Sequence, residues 1–292
     1  MTAGEGLVGF AERRLELPAG GSFRYFTAGE GPPLLLVHGL GGSALNWVAV
    51  APALTGRLRV LVPDLPGHGG SSPLPPASGS GAFADALAEL ITREQAWPLP
   101  VVGHSLGGLI GVRLAVRHPD LVAGLLLAAA AGISSGRRSA RYALEILALL
   151  RPARRLAPHR ARIARSPFLR SVVFRWWGAS DPSQLEPKIV KAFLAGWELH
   201  TDTLSAARAM VSDDARPDLG WIRCPCLVLW GARDNQVGVG DAFDYARRLR
   251  APVRVVPDCG HLLIGERPDA VLAAVDELLS APSGDVAELL GR

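Results

Sequence analysis

The chain has 292 residues, of which 49% are hydrophobic and 20% charged, and its mean hydropathy is +0.22. This composition excludes an intrinsically disordered chain, and the length suffices for one or two domains with a large core. The net charge of +4 is almost entirely due to arginine, because Lys188 and Lys191 are the only lysines, and no nucleic-acid-binding motif accompanies it.

Short apolar runs alternate with helical patterns along the first 128 residues. Alternation of this kind is typical of an α/β fold, in which helices flank a mostly parallel sheet. Strands are predicted at 23–27, 34–37, 60–63, 100–103 and 121–128, and helices at 46–54, 83–97 and 106–118.

The alternation stops after the strand at 121–128 and resumes near residue 215. The intervening pattern is helical, with breaks at Pro152, Pro158, Pro167, Pro182 and Pro187. Strands at 224–231 and 252–256 and helices at 241–249 and 268–279 then complete the core. We therefore predict a core formed by 1–131 and 215–292, with a helical cap at 132–214.

The predicted cap is strongly basic, because residues 137–175 contain eleven arginines and one acidic residue, Glu145. Two segments, 141–151 and 167–177, are apolar with a basic edge. One interpretation is that these helices bury one side on the core while their arginines face water. The other is an apolar pocket with a basic rim, which would favour hydrophobic or acidic ligands.

The segment Gly103-His104-Ser105-Leu106-Gly107 lies between a predicted strand and a predicted helix. The two glycines allow the chain to cross close to itself, so Ser105 lies on a sharp turn with its hydroxyl above the sheet edge. The N–H of Leu106 then lies at a helix N-terminus, where it can stabilise an oxyanion. This arrangement predicts that Ser105 is a nucleophile.

A nucleophilic serine needs a base, and the base needs an acid that orients it. Asp234 directly follows the strand at 224–231, and His261 follows the strand at 252–256. Because the carboxyl ends of parallel strands meet at one edge of a sheet, these two side chains are predicted to converge with Ser105. Two other residues are alternatives for the acid: Asp213 and Asp214.

Five motifs in this chain resemble those of the α/β-hydrolase superfamily, and the resemblance covers nearly the whole sequence. They are the oxyanion loop at 34–42, the D-x-x-G-x-G-x-S turn at 64–71, the nucleophile elbow at 103–107, the acid motif at 231–234 and the Gly-His pair at 260–261. The order Ser105, Asp234, His261 is also that of the superfamily. One departure is Val237-Gly238, where the family often has a Val-Pro pair.

The resemblance implies an eight-stranded, mostly parallel sheet flanked by helices, with the helical cap inserted after strand 6. It also implies an oxyanion hole made by the backbone N–H groups of Leu40 and Leu106. His261, oriented by Asp234, would take the proton of Ser105, which attacks the carbonyl to form an acyl-enzyme that water hydrolyses. His38 and His68 are interpreted as residues that fix loops.

The predicted function is a serine hydrolase, a carboxylesterase acting on small hydrophobic substrates. A serine at the elbow disfavours haloalkane dehalogenases and epoxide hydrolases, which have an aspartate there, and dienelactone hydrolases, which use a cysteine. Carbon–carbon bond hydrolysis, lactonase, haloperoxidase-like or acyltransferase activity would use the same residues. An alternative from another class is a non-catalytic small-molecule binder on a hydrolase scaffold.

This chemistry needs no cofactor, and no cluster of metal-type ligands stands out in the sequence. The expected partner is a small apolar ester or related carbonyl compound, with no role for nucleic acid, and the protein is expected to be a monomer or homodimer. No apolar run is long enough for stable membrane insertion. The N-terminus lacks the basic start and apolar block of a signal peptide, so a cytoplasmic location is expected.

Overall fold

A computed structural model of the chain describes residues 6–17, 20–134 and 155–281. Within them, eight strands form a single sheet. The strands are β1 (Ala11–Glu16), β2 (Ser22–Ala28), β3 (Pro33–Val37), β4 (Arg59–Pro63), β5 (Leu99–His104), β6 (Val122–Ala128), β7 (Cys226–Gly231) and β8 (Val253–Val256).

The strand order is β1-β2-β4-β3-β5-β6-β7-β8. Strand β2 pairs antiparallel with both β1 and β4, and all other neighbouring pairs are parallel. The predicted fold class, an eight-stranded and mostly parallel α/β sheet, is therefore confirmed. The loops after β3, β5, β7 and β8 all leave from the same edge of the sheet, since these strands run in one direction.

Helices pack on both faces of this sheet, so the protein has two apolar layers. Strand β3 contributes to both, because Leu34 and Leu36 lie in one layer while Leu35 and Val37 lie in the other. The helices in the described residues are α1 (Ala51–Leu54), α2 (Ser80–Arg93), α3 (Leu106–Arg117), α4 (Arg160–Arg165), α5 (Pro167–Phe174), α6 (Pro187–Ala195), α7 (Thr203–Ser212), α8 (Val239–Leu249), α9 (Leu263–Glu266) and α10 (Pro268–Ser280).

Two predicted helices are shorter in the structure. The helix predicted at 83–97 ends at Arg93, because Gln95 adopts a left-handed backbone conformation with φ of +50° that no α-helix can continue through. The helix predicted at 46–54 is divided into a 3₁₀ turn, Ala44–Trp47, and the single turn α1.

Two strands also differ from the prediction. Strand β1 has no predicted counterpart, since its sequence AERRLE is mostly exposed at the sheet edge and lacks an apolar alternation. The strand predicted at 224–231 begins only at Cys226. The residue before it, Pro225, has no backbone N–H to donate to a neighbouring strand.

The chain between β6 and β7 contains helices α4 to α7 and no strand among its described residues. Two of the predicted breaks coincide with helix starts, because Pro167 and Pro187 are the first residues of α5 and α6. Proline is favoured there since the first helical N–H has no partner within the helix. The segment predicted at 141–151 lies outside the described residues, and the division into core and cap at 131/132 and 214/215 stays a prediction.

A buried ion pair ties β2 to the loop after β4. The Nε of Arg24 donates to Oδ2 of Asp64 at 2.5 Å, and both side chains are almost fully buried. The same carboxylate accepts the backbone N–H groups of Ala44 and Gly70 at 2.7 and 2.8 Å. Asp64 thus holds in place the chain that follows the loop at 39–42.

We predict that Arg24→Met lowers the free energy of unfolding by about 3–5 kcal/mol, because it leaves a buried carboxylate without its cation. The matched control is Arg254→Met, which removes a half-exposed arginine paired with Glu277 and should cost less than about 1 kcal/mol. Urea unfolding of both variants measures the difference, and equal losses would contradict this role for Arg24.

Candidate active site

Ser105 joins β5 to α3 with φ of +53° and ψ of −117°. Positive φ is uncommon outside glycine and stores strain, so neighbouring contacts must enforce it. A Cβ at Gly103 would lie 2.4 Å from the carbonyl oxygen of Gly107, and a Cβ at Gly107 would lie 2.3 Å from that of Val37. The Ser105 N–H donates to the Ala128 carbonyl at 3.0 Å. These contacts fix the serine at the carboxyl edge of the sheet.

The structure brings the three predicted residues together in one chain of hydrogen bonds. The Nε2 of His261 lies 3.0 Å from the Ser105 hydroxyl oxygen, and its Nδ1 lies 2.8 Å from Oδ2 of Asp234. All three are buried, at 8%, 8% and 9% exposure. Because the carboxylate only accepts, Nδ1 carries the proton and Nε2 is left to accept from the serine hydroxyl.

The second oxygen of Asp234 accepts two backbone N–H groups, those of Gln236 and Val237, at 2.8 and 2.9 Å. The Val-Gly departure from the family pattern therefore leaves the acid loop closed on its carboxylate. The alternative acids lie elsewhere: Asp213 pairs with Arg113, and Asp214 pairs with Arg216.

The loop after β3 packs directly against the serine. A Cβ at Gly39 would lie 3.0 Å from the Cβ of Ser105, which places Leu40 one residue from the nucleophile turn. Leu106 is the first residue of α3, where backbone N–H groups have no acceptor within the helix. The two predicted oxyanion donors therefore belong to segments in contact with Ser105.

Sequence reasoning missed His200, which holds this loop from the chain between β6 and β7. Its Nε2–H donates to the Gly41 carbonyl at 2.9 Å, and its Nδ1 accepts the N–H of Gly69 at 2.9 Å. No local sequence pattern marks His200, because its partners lie more than 130 residues away.

Four buried or partly buried histidines surround the site, and burial lowers the pKa of each. The pKa of His38 and of His104 falls to about 3, that of His68 falls well below its usual value, and that of His200 is also lowered. His38 accepts the Leu65 N–H at 2.9 Å and lies 2.8 Å from the Gly39 carbonyl. The neutral imidazole of His38 thus links the loops after β3 and β4, whereas the loop-fixing role of His68 stays a prediction.

A short segment after α5, residues 176–180, is bonded to both loops that carry His261 and Asp234. The Gly178 carbonyl accepts the backbone N–H of His261 at 2.7 Å, and the side-chain amide of Gln236 donates to the Trp176 carbonyl at 3.2 Å. The approach is close, because a Cβ at Gly260 would lie 2.1 Å from the Gly178 oxygen.

Glu266 joins the same segment to the histidine loop and was also missed in the sequence. Its carboxylate accepts the N–H of Ser180 at 2.7 Å and that of Gly260 at 3.2 Å. Burial raises the pKa of this carboxyl. The available signal was an acidic residue directly after the apolar run 262–265, five residues after His261.

The described residues contain no group of three or more histidine, cysteine, aspartate or glutamate side chains arranged to hold a metal ion. None of the described helices is both long and apolar enough to cross a membrane.

Residues 34–274 match the model of the alpha/beta hydrolase family. The chain belongs to the alpha/beta hydrolase family. This span begins with β3 and ends within α10, so it contains every loop of the site described above.

Relatives of this hydrolase include enzymes named for different activities. It is 31% identical to an (E)-2-((N-methylformamido)methylene)succinate hydrolase of Acinetobacter baylyi, over 76% of this chain and 80% of the relative. It is also 31% identical to a pimeloyl-[acyl-carrier protein] methyl ester esterase of Chromobacterium violaceum, over 88% and 90%. The solved structure of a thermophilic esterase from Thermogutta terrifontis is 26% identical, with a TM-score of 0.73 over 92% and 98%.

We expect the hydrolase to lose stability in weak acid. Unfolding frees the buried histidines to take up protons near pH 6.5, whereas His38 and His104 resist protonation until about pH 3. The free energy of unfolding should therefore be highest above pH 6.5 and fall as the pH decreases, by up to about 1.4 kcal/mol per pH unit for each histidine. Urea unfolding between about pH 7.5 and pH 5 measures this slope.

The variant His38→Gln tests the assignment, because a glutamine amide keeps one donor and one acceptor but binds no proton in this range. It should reduce the slope of unfolding free energy against pH by up to about 1.4 kcal/mol per pH unit, which is the contribution of one histidine. A wild-type profile that stays flat between pH 7.5 and 5 would contradict the prediction.

Removal of the Glu266 carboxylate should loosen the histidine loop of the hydrolase. We predict that Glu266→Ala lowers kcat and stability, because two buried N–H donors lose their acceptor at a cost of about 1–3 kcal/mol. Glu266→Gln keeps an acceptor oxygen and should restore most of both. The matched control is Glu277→Ala on α10. Steady-state kinetics and urea unfolding are measured for both variants. Equal losses of kcat and stability in Glu266→Ala and Glu277→Ala would contradict a positioning role for Glu266.

Proposed function

We propose that this hydrolase cleaves carboxylic ester bonds of small hydrophobic substrates, with Ser105 as nucleophile, His261 as base and Asp234 as the acid that orients it. The observation that carries the proposal is the continuous pair of hydrogen bonds from serine to imidazole to carboxylate, at 3.0 and 2.8 Å. A turn serine without a chemical role would not need a buried imidazole whose unprotonated nitrogen is directed at its hydroxyl.

The reaction begins when the Ser105 oxygen attacks the ester carbonyl while Nε2 of His261 takes its proton. The negative charge on the tetrahedral oxygen is stabilised by the N–H groups of Leu40 and Leu106, each donor lowering the barrier by about 3 kcal/mol. The protonated His261 then gives its proton to the leaving alcohol. Water, activated by the same imidazole, hydrolyses the acyl-enzyme and regenerates the serine.

The helices between β6 and β7 are proposed to form the cap over this site. The ring of Trp177 lies next to the oxyanion loop, since a Cβ at Gly41 would be 3.7 Å from it. Trp177 also stacks on Trp197 at a centroid distance of 4.4 Å and an interplanar angle of 24°. An aromatic wall beside the oxyanion loop supports an apolar substrate rather than a highly charged one.

An ester is favoured over the other bonds that this site could cleave because one relative, aligned over 88% of this chain, is named as a methyl ester esterase. Carbon–carbon hydrolysis, lactonase and acyltransferase activity would use the same residues with another substrate or acceptor, so substrate tests must include them.

We expect a fluorophosphonate probe to label the folded protein on Ser105, because such probes react only with activated serines. Peptide mapping by mass spectrometry identifies the labelled residue, and Ser105→Ala is the control that should remain unlabelled. Absence of label on a folded wild-type protein would favour the non-catalytic binder.

Hydrolysis of p-nitrophenyl esters of graded chain length should depend on the orienting acid. Asp234→Asn is expected to lower kcat by about ten-thousand-fold, because the amide no longer holds the imidazole in the tautomer that accepts the serine proton. Asp213→Asn, at the alternative acid, should leave kcat near the wild-type value. The reverse ranking in steady-state kinetics would transfer the role of acid to Asp213.

A further inference from the structure

Helix α5 and the turn after it present an unusual row of exposed apolar side chains. Phe168, Val172 and Trp176 are 74%, 53% and 82% exposed. Their spacing of four residues places them along one side of the helix. The opposite side is anchored, because Val173 and Phe174 are buried in the core. Large apolar residues grouped on a surface are typical of an interaction site.

Uncompensated positive charge lies beside this row. Residues 155–178 contain six arginines and no aspartate or glutamate. Arg160 pairs with Glu198, and Arg170 is buried and donates to backbone carbonyls. The guanidinium groups of the four other arginines, all exposed, form no ion pair with a described residue: Arg155, Arg162, Arg165 and Arg175.

The charged and apolar side chains share one surface. An open groove of about 750 Å³ is lined by Phe168 and Leu169 of α5 together with Arg162 and Arg165 of α4. Arg175 lies seven residues after Phe168, which is two helical turns and hence the same side. We call this surface, formed by Arg162, Arg165, Phe168, Val172, Arg175 and Trp176, the basic-aromatic face.

We propose that the basic-aromatic face binds the surface of lipid bilayers that contain anionic lipids. Guanidinium groups bind lipid phosphates through paired N–H donors, and exposed aromatic rings are accommodated at the boundary between headgroups and acyl chains. The charge of the face is complementary to such a bilayer, and its apolar side chains are largely exposed to solvent. The binding is peripheral, and it does not depend on the proposed esterase activity.

The first experiment measures sedimentation of the full chain with vesicles. We expect binding to vesicles of phosphatidylcholine mixed with phosphatidylglycerol and little binding to phosphatidylcholine alone. Added salt should weaken the binding, because part of the attraction is electrostatic.

Two double variants then test whether binding depends on the arginines of the basic-aromatic face or only on the net charge of the protein. Arg165→Glu with Arg175→Glu should weaken binding by well over ten-fold, since each basic residue at a bilayer surface contributes roughly five-fold in affinity. The matched control is Arg208→Glu with Arg223→Glu, two exposed arginines outside the face. This control changes the total charge equally and should retain most of the binding.

The apolar contribution is tested by Phe168→Ser with Val172→Ser, against Phe243→Ser as the control. Phe243 is also an exposed helical phenylalanine, at 54%, but lies on α8. The first pair should weaken binding several-fold and the control should not. Thermal melting curves establish that each variant is folded before it is compared.

Several results would overturn the proposal. They are absence of wild-type binding at low salt, equal losses in the two charge-reversed pairs, and equal binding to vesicles with and without phosphatidylglycerol. Analytical ultracentrifugation adds one more: a wild-type dimer that Phe168→Ser with Val172→Ser dissociates would assign the face to a second copy of the chain.

Discussion

The turn at Ser105 is the constraint on which the site depends. Helix α3 lies so close to β5 and to the end of β3 that neither Gly103 nor Gly107 has room for a Cβ, and the serine between them adopts positive φ. Packing on both sides of the sheet supplies the stability that offsets this strain. The hydroxyl is consequently placed by the fold itself rather than by a flexible loop. Its position is fixed, so the loops after β7 and β8 need only bring Asp234 and His261 to it.

Those partners could be predicted to a large extent because their signals are local. Asp234 and His261 each follow an apolar strand by a few residues, and the parallel sheet brings strand ends together whatever the intervening sequence. The end of the helix predicted at 83–97 was placed too far along the chain, since a left-handed residue such as Gln95 has no reliable signature in composition.

The contacts that hold the site together could not be predicted in this way. His200 bonds to a loop 159 positions earlier, and Gly178 bonds to a histidine 83 positions later, so no periodicity or motif records either pair. Glu266 was visible only as a charge at the end of an apolar run. The exposed apolar row on α5 was equally hidden, because its spacing is the same as that of a helix that buries one side.

The bond between Gly178 and the His261 backbone has a consequence for how substrate reaches the serine. A rigid swing that lifted residues 176–180 from the core would pull on the imidazole and release the Glu266 carboxylate as well. This end of the helices between β6 and β7 is therefore anchored to the loops that carry His261 and Asp234. A movement of these helices that leaves residues 176–180 in place keeps the bonds of Gly178 and Glu266, and with them the position of the proposed base.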